Sequence, residues 1–206
     1  MSAREVAILD LGVGNLHSVA RAFERAGARP HITRDADEVR RAERLVVPGQ
    51  GAIQGCAMAL RGGLGEVVLE HIDRGRPYLG ICLGMQVLFE ESDEAPGTPC
   101  LSVFRGRVVR FREDMVDAEG RRLKVPHMGW NRIRANHPVF QDGDYFYFVH
   151  SYYCAPADPS IVAATADFGG PFCAAVAKDN VLACQFHPEK SHHAGARLIT
   201  RFLEVG

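Results

Sequence analysis

Between Tyr78 and Phe89 the chain runs Tyr-Leu-Gly-Ile-Cys-Leu-Gly-Met-Gln-Val-Leu-Phe, an apolar strand-like segment that meets a helical pattern through Gly80-Ile81-Cys82-Leu83-Gly84. A side chain flanked by glycine at minus two and plus two can sit on a sharp strand-to-helix turn, where larger neighbours would collide. Such a turn forces the central residue into a strained backbone conformation and exposes its side chain. The partial positive charge at the start of the following helix favours a thiolate. Taken alone, the segment serves a buried structural cysteine as well as a reactive one.

The rest of the first half carries the same β-α rhythm. Val6-Ala7-Ile8-Leu9 reads as a strand, and Leu16, Val19, Ala20 and Phe23 share one helical face that stops near Gly27. Leu45-Val46-Val47 is a further strand, and Met85 to Phe89 continues the helix after the cysteine. Repeated β-α units predict a parallel sheet covered by helices on both faces. From about Val108 the runs become short and aromatic: Val108 to Phe111, Tyr145 to Val149, Ile161 to Ala163, then Phe172 to Ala177 facing Val181 to Phe186 across an Asp179-Asn180 turn. A helix from His193 to Leu203 closes the chain. No linker or repeat divides it, so one α/β domain over 1–206 is expected, a mixed central sheet with an antiparallel extension.

Composition excludes several classes. Among 206 residues, 24 basic against 25 acidic side chains lack the electrostatic footprint of a nucleic-acid binder. No apolar run reaches membrane-spanning length, and Met1-Ser2-Ala3-Arg4-Glu5 lacks a leader pattern, so no membrane association and a cytoplasmic location are expected. Six cysteines without a C-x-x-C pair signal neither zinc nor a disulfide scaffold, and most read as buried fillers. His17, His31, His71 and His137 lack ligand-like spacing and read as surface or turn residues; His192-His193 reads as a helix start, and no metal is expected. Gly12-Val13-Gly14 suggests a dinucleotide site, but the third glycine of that fingerprint would fall on His17, so a tight turn is the better reading.

Two further motifs decide for a reactive cysteine. In Gln185-Phe186-His187-Pro188-Glu189-Lys190-Ser191 a histidine is held extended before proline, with a carboxylate two residues on. A base for a thiol and a group to orient that base are what an activated nucleophile needs. Val47-Pro48-Gly49-Gln50-Gly51-Ala52 is a glycine loop directly after a strand, able to turn backbone N–H groups toward an oxyanion.

Cysteine elbow, His-Pro-Glu and glycine loop together resemble the class I, triad-type glutamine amidotransferases over nearly the whole chain. Asp10 to Leu16, Pro126 to Asn131, Phe148 to Tyr153 and Gln185 to Ser191 are similar to motifs of the glutaminase subunits of imidazole glycerol phosphate synthase. The resemblance implies a flavodoxin-like fold with Cys82 attacking glutamine, His187 as base and acid, and Glu189 orienting His187. It further implies glutamine contacts from Gly51, Gln86, Ser151 and Tyr152, and oxyanion donors at the N–H of Gln50 and Leu83. No cofactor is implied; the implied partner is a (β/α)8-barrel cyclase subunit that receives ammonia through a tunnel for histidine biosynthesis, the second product passing to purine synthesis. Valine is common in that family where Gln50 stands, and a tyrosine is often found at the Leu11 position. Related subunits of anthranilate synthase or pyridoxal phosphate synthesis are not expected to carry His127-Met128-Gly129-Trp130-Asn131. Peptidases of similar fold generally lack the His-Pro-Glu, and an inert flavodoxin-like binding module needs no such triad. The motifs leave His127 and Trp130 undecided between lining a partner face and packing, whereas Tyr145 to Phe148 reads as core and interface.

Overall fold

The computed structural model describes residues 3–205; Met1 and Ser2, part of the N-terminal run read above, and Gly206 lie outside the described residues. Five strands form the parallel half of the sheet. They are β1 (Glu5–Leu9), β2 (Arg29–Thr33), β3 (Leu45–Gly49), β4 (Tyr78–Cys82) and, from the far end of the chain, Val181–Cys184. Helices α1 (Leu16–Arg25), α2 (Ala36–Arg41), α3 (Ile53–Ala59), α4 (Leu64–Asp73) and α5 (Leu83–Gln86) fall between or after the first four. Strand β1 shows why two helical layers are needed: Val6 and Ile8 face one buried cluster with Val19 and Phe23 of α1, while Ala7 and Leu9 face another with Val39, Cys56 and Val67. Period-two alternation with both faces apolar produces this.

The second half, antiparallel apart from the β5–β6 pair, follows as β5 (Glu91–Ser92), β6 (Gly106–Arg110), β7 (His127–Ala135), β8 (Tyr145–His150), β9 (Tyr152–Pro156), β10 (Val162–Asp167), β11 (Pro171–Lys178) and β12 (Val181–Cys184). The main sheet runs β2-β1-β3-β4-β12-β11-β10-β7-β8, with β9 pairing β11 and β6, and β6 pairing β5. Strand β12 joins the two halves, parallel to β4 and antiparallel to β11. The predicted β11–β12 hairpin is present, with Asp179 at φ +52° and the Asn180 amide donating to the carbonyls of Ile72 and Arg76. The last helix, α6 (His192–Glu204), lays Leu198, Ile199 and Phe202 beside α1, where Phe23 and Phe202 meet edge to face.

Three expectations need correction. The helix after Cys82 stops at Gln86 instead of running through Phe89. The amides of Leu88 and Phe89 donate three residues back, to Met85 and Gln86, and the Gly84 carbonyl accepts from the Tyr78 hydroxyl, so the last turn tightens into 3₁₀-type bonding and the α-helix ends. His71 is buried, not at the surface: it lies on the inner face of α4 with Nε2 at 3.0 Å from the Pro77 carbonyl oxygen. Ile161 belongs to a short 3₁₀ turn, and its strand begins at Val162.

Candidate active site

Sheet register assembles the site. Strands β3 and β4 pair Gly49 with Cys82, and β12 pairs Cys184 with Ile81. Gln50, Cys82 and Gln185 therefore meet at the C-terminal ends of three adjacent parallel strands, the edge where open α/β sheets carry their sites. Cys82 sits at φ +55°, ψ −106°, a conformation a non-glycine residue adopts only where surrounding structure imposes it. A Cβ on Gly84 would overlap the carbonyl oxygen of Val47, and one on Gly80 would overlap that of Gly84. The buried Tyr78 hydroxyl donates to the Gly84 carbonyl at 2.8 Å and ties the turn down. These contacts supply the physical need for both glycines.

Beyond β12 the chain alternates sides. Phe186 turns into the core and stacks on Phe146 at 3.9 Å, while Gln185 and His187 turn toward Cys82. The His187 amide donates to the Tyr147 carbonyl, and its own carbonyl accepts from the Ser191 hydroxyl at 2.6 Å. Nδ1 of His187 lies 2.8 Å from a Glu189 carboxylate oxygen, with both side chains almost fully buried. That bond leaves Nε2 as the free ring nitrogen. Nε2 has no partner in hydrogen-bond geometry, although the Cys82 sulfur is near enough to act on it. Burial alone would lower the imidazole's pKa; Cys82 and Glu189 outweigh burial and raise it to about 9.

A cavity of about 390 Å³ opens over Cys82. Its walls include Gln50, Gly51, Leu83, Gln86, Ser151 and Tyr152, so the residues read from the sequence as substrate-facing lie around one space. Gln86 is buried, its Nε2 donating to the carbonyl of Tyr152 at 3.2 Å and to Gln185 Oε1 at 3.1 Å. Its Oε1 has no protein partner. The Gln50 side chain approaches His187 Nδ1 at 3.5 Å, a contact that the reading of Gln50 through its backbone did not anticipate.

Other residues were missed altogether. Among the described residues Glu94 is the one carboxylate in the cavity wall, and it accepts from the Ile53 amide at 2.9 Å. It comes from an irregular loop with no motif to mark it. Gln185 was within reach, because a residue two before His187 on an extended segment shares its face.

His127 and Trp130 now separate. Strand β7 alternates, so His127 points inward while Met128 and Trp130 point out, 65% and 48% exposed. Trp130 stacks on His192 and meets Tyr147, whose side chain lines the cavity. His127 joins a buried chain of hydrogen bonds. The Asn131 amide donates to the Asp167 carbonyl and to His127 Nε2; His127 Nδ1 faces His150 Nε2 at 3.0 Å; His150 Nδ1 faces the Tyr152 carbonyl at 2.8 Å. Only one tautomer set satisfies every contact: both rings neutral, each with its proton on Nδ1. Burial agrees, lowering His127 to about 4 and His150 to about 3. Among the described residues no group of His, Cys, Asp or Glu is arranged to hold a metal ion, and no helix is long and apolar enough to cross a membrane.

Residues 7–205 match the family model described as "Glutamine amidotransferase class-I". The chain is 51% identical to the protein named "Imidazole glycerol phosphate synthase subunit HisH" of Syntrophotalea carbinolica, over 97% of this chain and 100% of that one. It is 50% identical to the protein of the same name in Methylococcus capsulatus, covering 96% and 95%. Among solved structures it is similar in fold to "Crystal structure of glutamine amidotransferase" (TM-score 0.75, 23% identity, 97% of each chain). It is also similar in fold to "Structure of PurLQS from Thermotoga maritima" (TM-score 0.72, 15% identity, 98% of each chain).

Proposed function

From the premise that this chain belongs to the class-I glutamine amidotransferases, and within them to the HisH subunits of imidazole glycerol phosphate synthase, we propose a role for each group at the site. The protein is a glutamine amidotransferase of histidine biosynthesis. Residues 1–206 act as one glutamine amidotransferase domain, working in the cytoplasm. Cys82 as thiolate attacks the side-chain carbonyl carbon of glutamine, and the oxyanion is met by the N–H groups of Leu83 and Gln50. Collapse breaks the C–N bond, His187 delivers its proton to the departing ammonia, and glutamate is left as a thioester on Cys82. Water, deprotonated by His187, then releases glutamate. Glu189 holds the ring and stabilises its charged form, in the manner of a triad carboxylate.

Glutamine binds in the cavity against Gly51, Gln86, Ser151 and Tyr152. The unpartnered Gln86 Oε1 accepts from the substrate, and Glu94 faces its ammonium group. The observation that carries the reading is the strained Cys82 set beside a buried His187–Glu189 pair under a cavity.

Ammonia passes to a (β/α)8-barrel cyclase subunit. Met128, Trp130 and Tyr145, the last 56% exposed, form an apolar face on β7 and β8 that borders the cavity through Tyr147. Exposed large apolar groups of this kind mark an interaction surface. A partner seated there would cover the site and receive its product. The test is Cys82→Ala in the complex with the cyclase. Glutamine-dependent synthesis should vanish while synthesis from added ammonium salt persists. Retained glutamine-dependent turnover, or joint loss of both in a folded complex, would overturn the assignment.

A further inference from the structure

Gln185 is fully buried, and no role read from the sequence or needed for the triad uses it. Its orientation follows from groups that admit no ambiguity. The Tyr152 carbonyl can only accept, so the nitrogen of the Gln86 amide faces it, at 3.2 Å. The second hydrogen on that nitrogen points to Gln185 at 3.1 Å, which requires the oxygen of the Gln185 amide there. The Gln185 nitrogen is then left facing the Cys82 sulfur, at 3.6 Å. The neighbouring His150 reinforces the starting point, because its Nδ1 also donates to the Tyr152 carbonyl.

A thiol accepts a hydrogen bond weakly and a thiolate strongly, so a buried N–H aimed at the sulfur favours the charged form. The donor also restricts where the sulfur can sit. Gln185 lies on the β12 side of Cys82, and His187 comes from the same extended segment two residues on, so a neutral donor and the base both face the sulfur. On the reading of Cys82 as nucleophile, we propose that Gln185 is a thiolate-stabilising residue, its side-chain N–H donating to Cys82 Sγ and holding it where it attacks the substrate. This differs from the work of His187, which exchanges a proton. Gln185 exchanges none and acts at every pH at which the sulfur is charged.

The test is the pH profile of Cys82 alkylation by iodoacetamide on the full chain, read on the Cys82 peptide by mass spectrometry. Only the thiolate reacts, so the midpoint reports its formation. Gln185→Leu should raise that midpoint by about one unit, a tenfold smaller thiolate fraction below both midpoints. Gln185→Glu should raise it further, because a carboxylate beside the sulfur repels the second negative charge. In glutaminase assays Gln185→Leu should lower kcat about tenfold and change KM by less than about threefold, since Gln86 keeps its bond to Tyr152. If the Leu variant does not fold, Gln185→Met carries the same expectations. A purely structural role would shift the unfolding midpoint and leave the alkylation midpoint within about 0.3 unit of the unsubstituted chain, which would overturn the proposal. Cys100, whose thiol burial pushes up, is the internal reference. If the unsubstituted chain does not label Cys82 ahead of Cys100, the nucleophile assignment itself falls. If it does and Gln185→Leu changes nothing, only the role of Gln185 falls.

Discussion

Gln50 stands where two functions compete. Its backbone N–H follows Gly49, which register places beside Cys82, while its side chain reaches His187 Nδ1 at 3.5 Å. That nitrogen already donates its one N–H to Glu189 at 2.8 Å and has no lone pair left for the amide nitrogen, so the contact is not a hydrogen bond. A side chain in that position contributes little, whereas loss of one oxyanion donor typically costs about 10² to 10³ in kcat. Gln50→Ala should therefore retain kcat within about tenfold, and Gln50→Pro should lose at least about a hundredfold. Proline also fixes its own φ and restricts Gly49, so glutamine affinity is measured for both variants on a Cys82→Ala background. Equal affinities confine the proline defect to the transition state. If alanine were as damaging as proline, the side chain and not the backbone would be the group at work.

The elbow is an element whose shape depends on what is absent from it. Strand β4 delivers Cys82, α5 leaves at once, and the turn lies so close to β3 that a Cβ on Gly84 would overlap the Val47 carbonyl. Backbone cannot move aside as the tip of a side chain can. Gly84→Ala should cost about 3 kcal/mol or more, or prevent folding, as severe overpacking does. Gly27 is the control: its φ of +84° is unfavourable for alanine, but no atom lies within 4 Å of the added carbon. Gly27→Ala should cost only about 1 kcal/mol, the left-handed backbone penalty. Urea denaturation of the two variants separates crowding from conformation, and equal losses would contradict the close approach of the elbow to β3.

At the scale of the molecule, the sheet buries ionisable groups whose pKa values couple folding to pH in opposite senses. His127, His150 and His71 are all lowered by burial, so the unfolded chain binds more protons below pH 6.5 and stability falls with acidification. For the His127–His150 pair the window runs from about 6.5 down to about 4, with a slope approaching about 3 kcal/mol per pH unit for two protons. His187 is raised, so its contribution is present below 6.5 and is lost as pH rises through about 9. Unfolding free energies measured between pH 7 and 5 should show the acid loss, and His127→Phe with His150→Phe should flatten most of it. An unchanged slope in that double variant would mean that the pair is not held neutral in the folded chain.

Much of this architecture was legible because it rests on local rules. Short continuous apolar runs marked β1, β3 and β4, helical spacing marked α1, and the glycines about Cys82 announced a turn that only small residues permit. The proposed triad was legible for the same reason, since Cys82 and the His187–Glu189 pair each sit in a short motif whose chemistry needs neighbours in sequence. Tertiary structure decided the rest. His71 became buried because α4 turns that face onto the sheet, and the helix after Cys82 ended early because the Tyr78 hydroxyl took the Gly84 carbonyl and the amides of Leu88 and Phe89 bonded three residues back. Gln185, Glu94 and the His127–His150 pair acquired meaning only when strands distant in sequence brought Cys82, Gln86 and Tyr152 within hydrogen-bond reach. A motif records what a residue needs from its neighbours along the chain; a hydrogen bond between strands a hundred residues apart is written only in the register of the sheet.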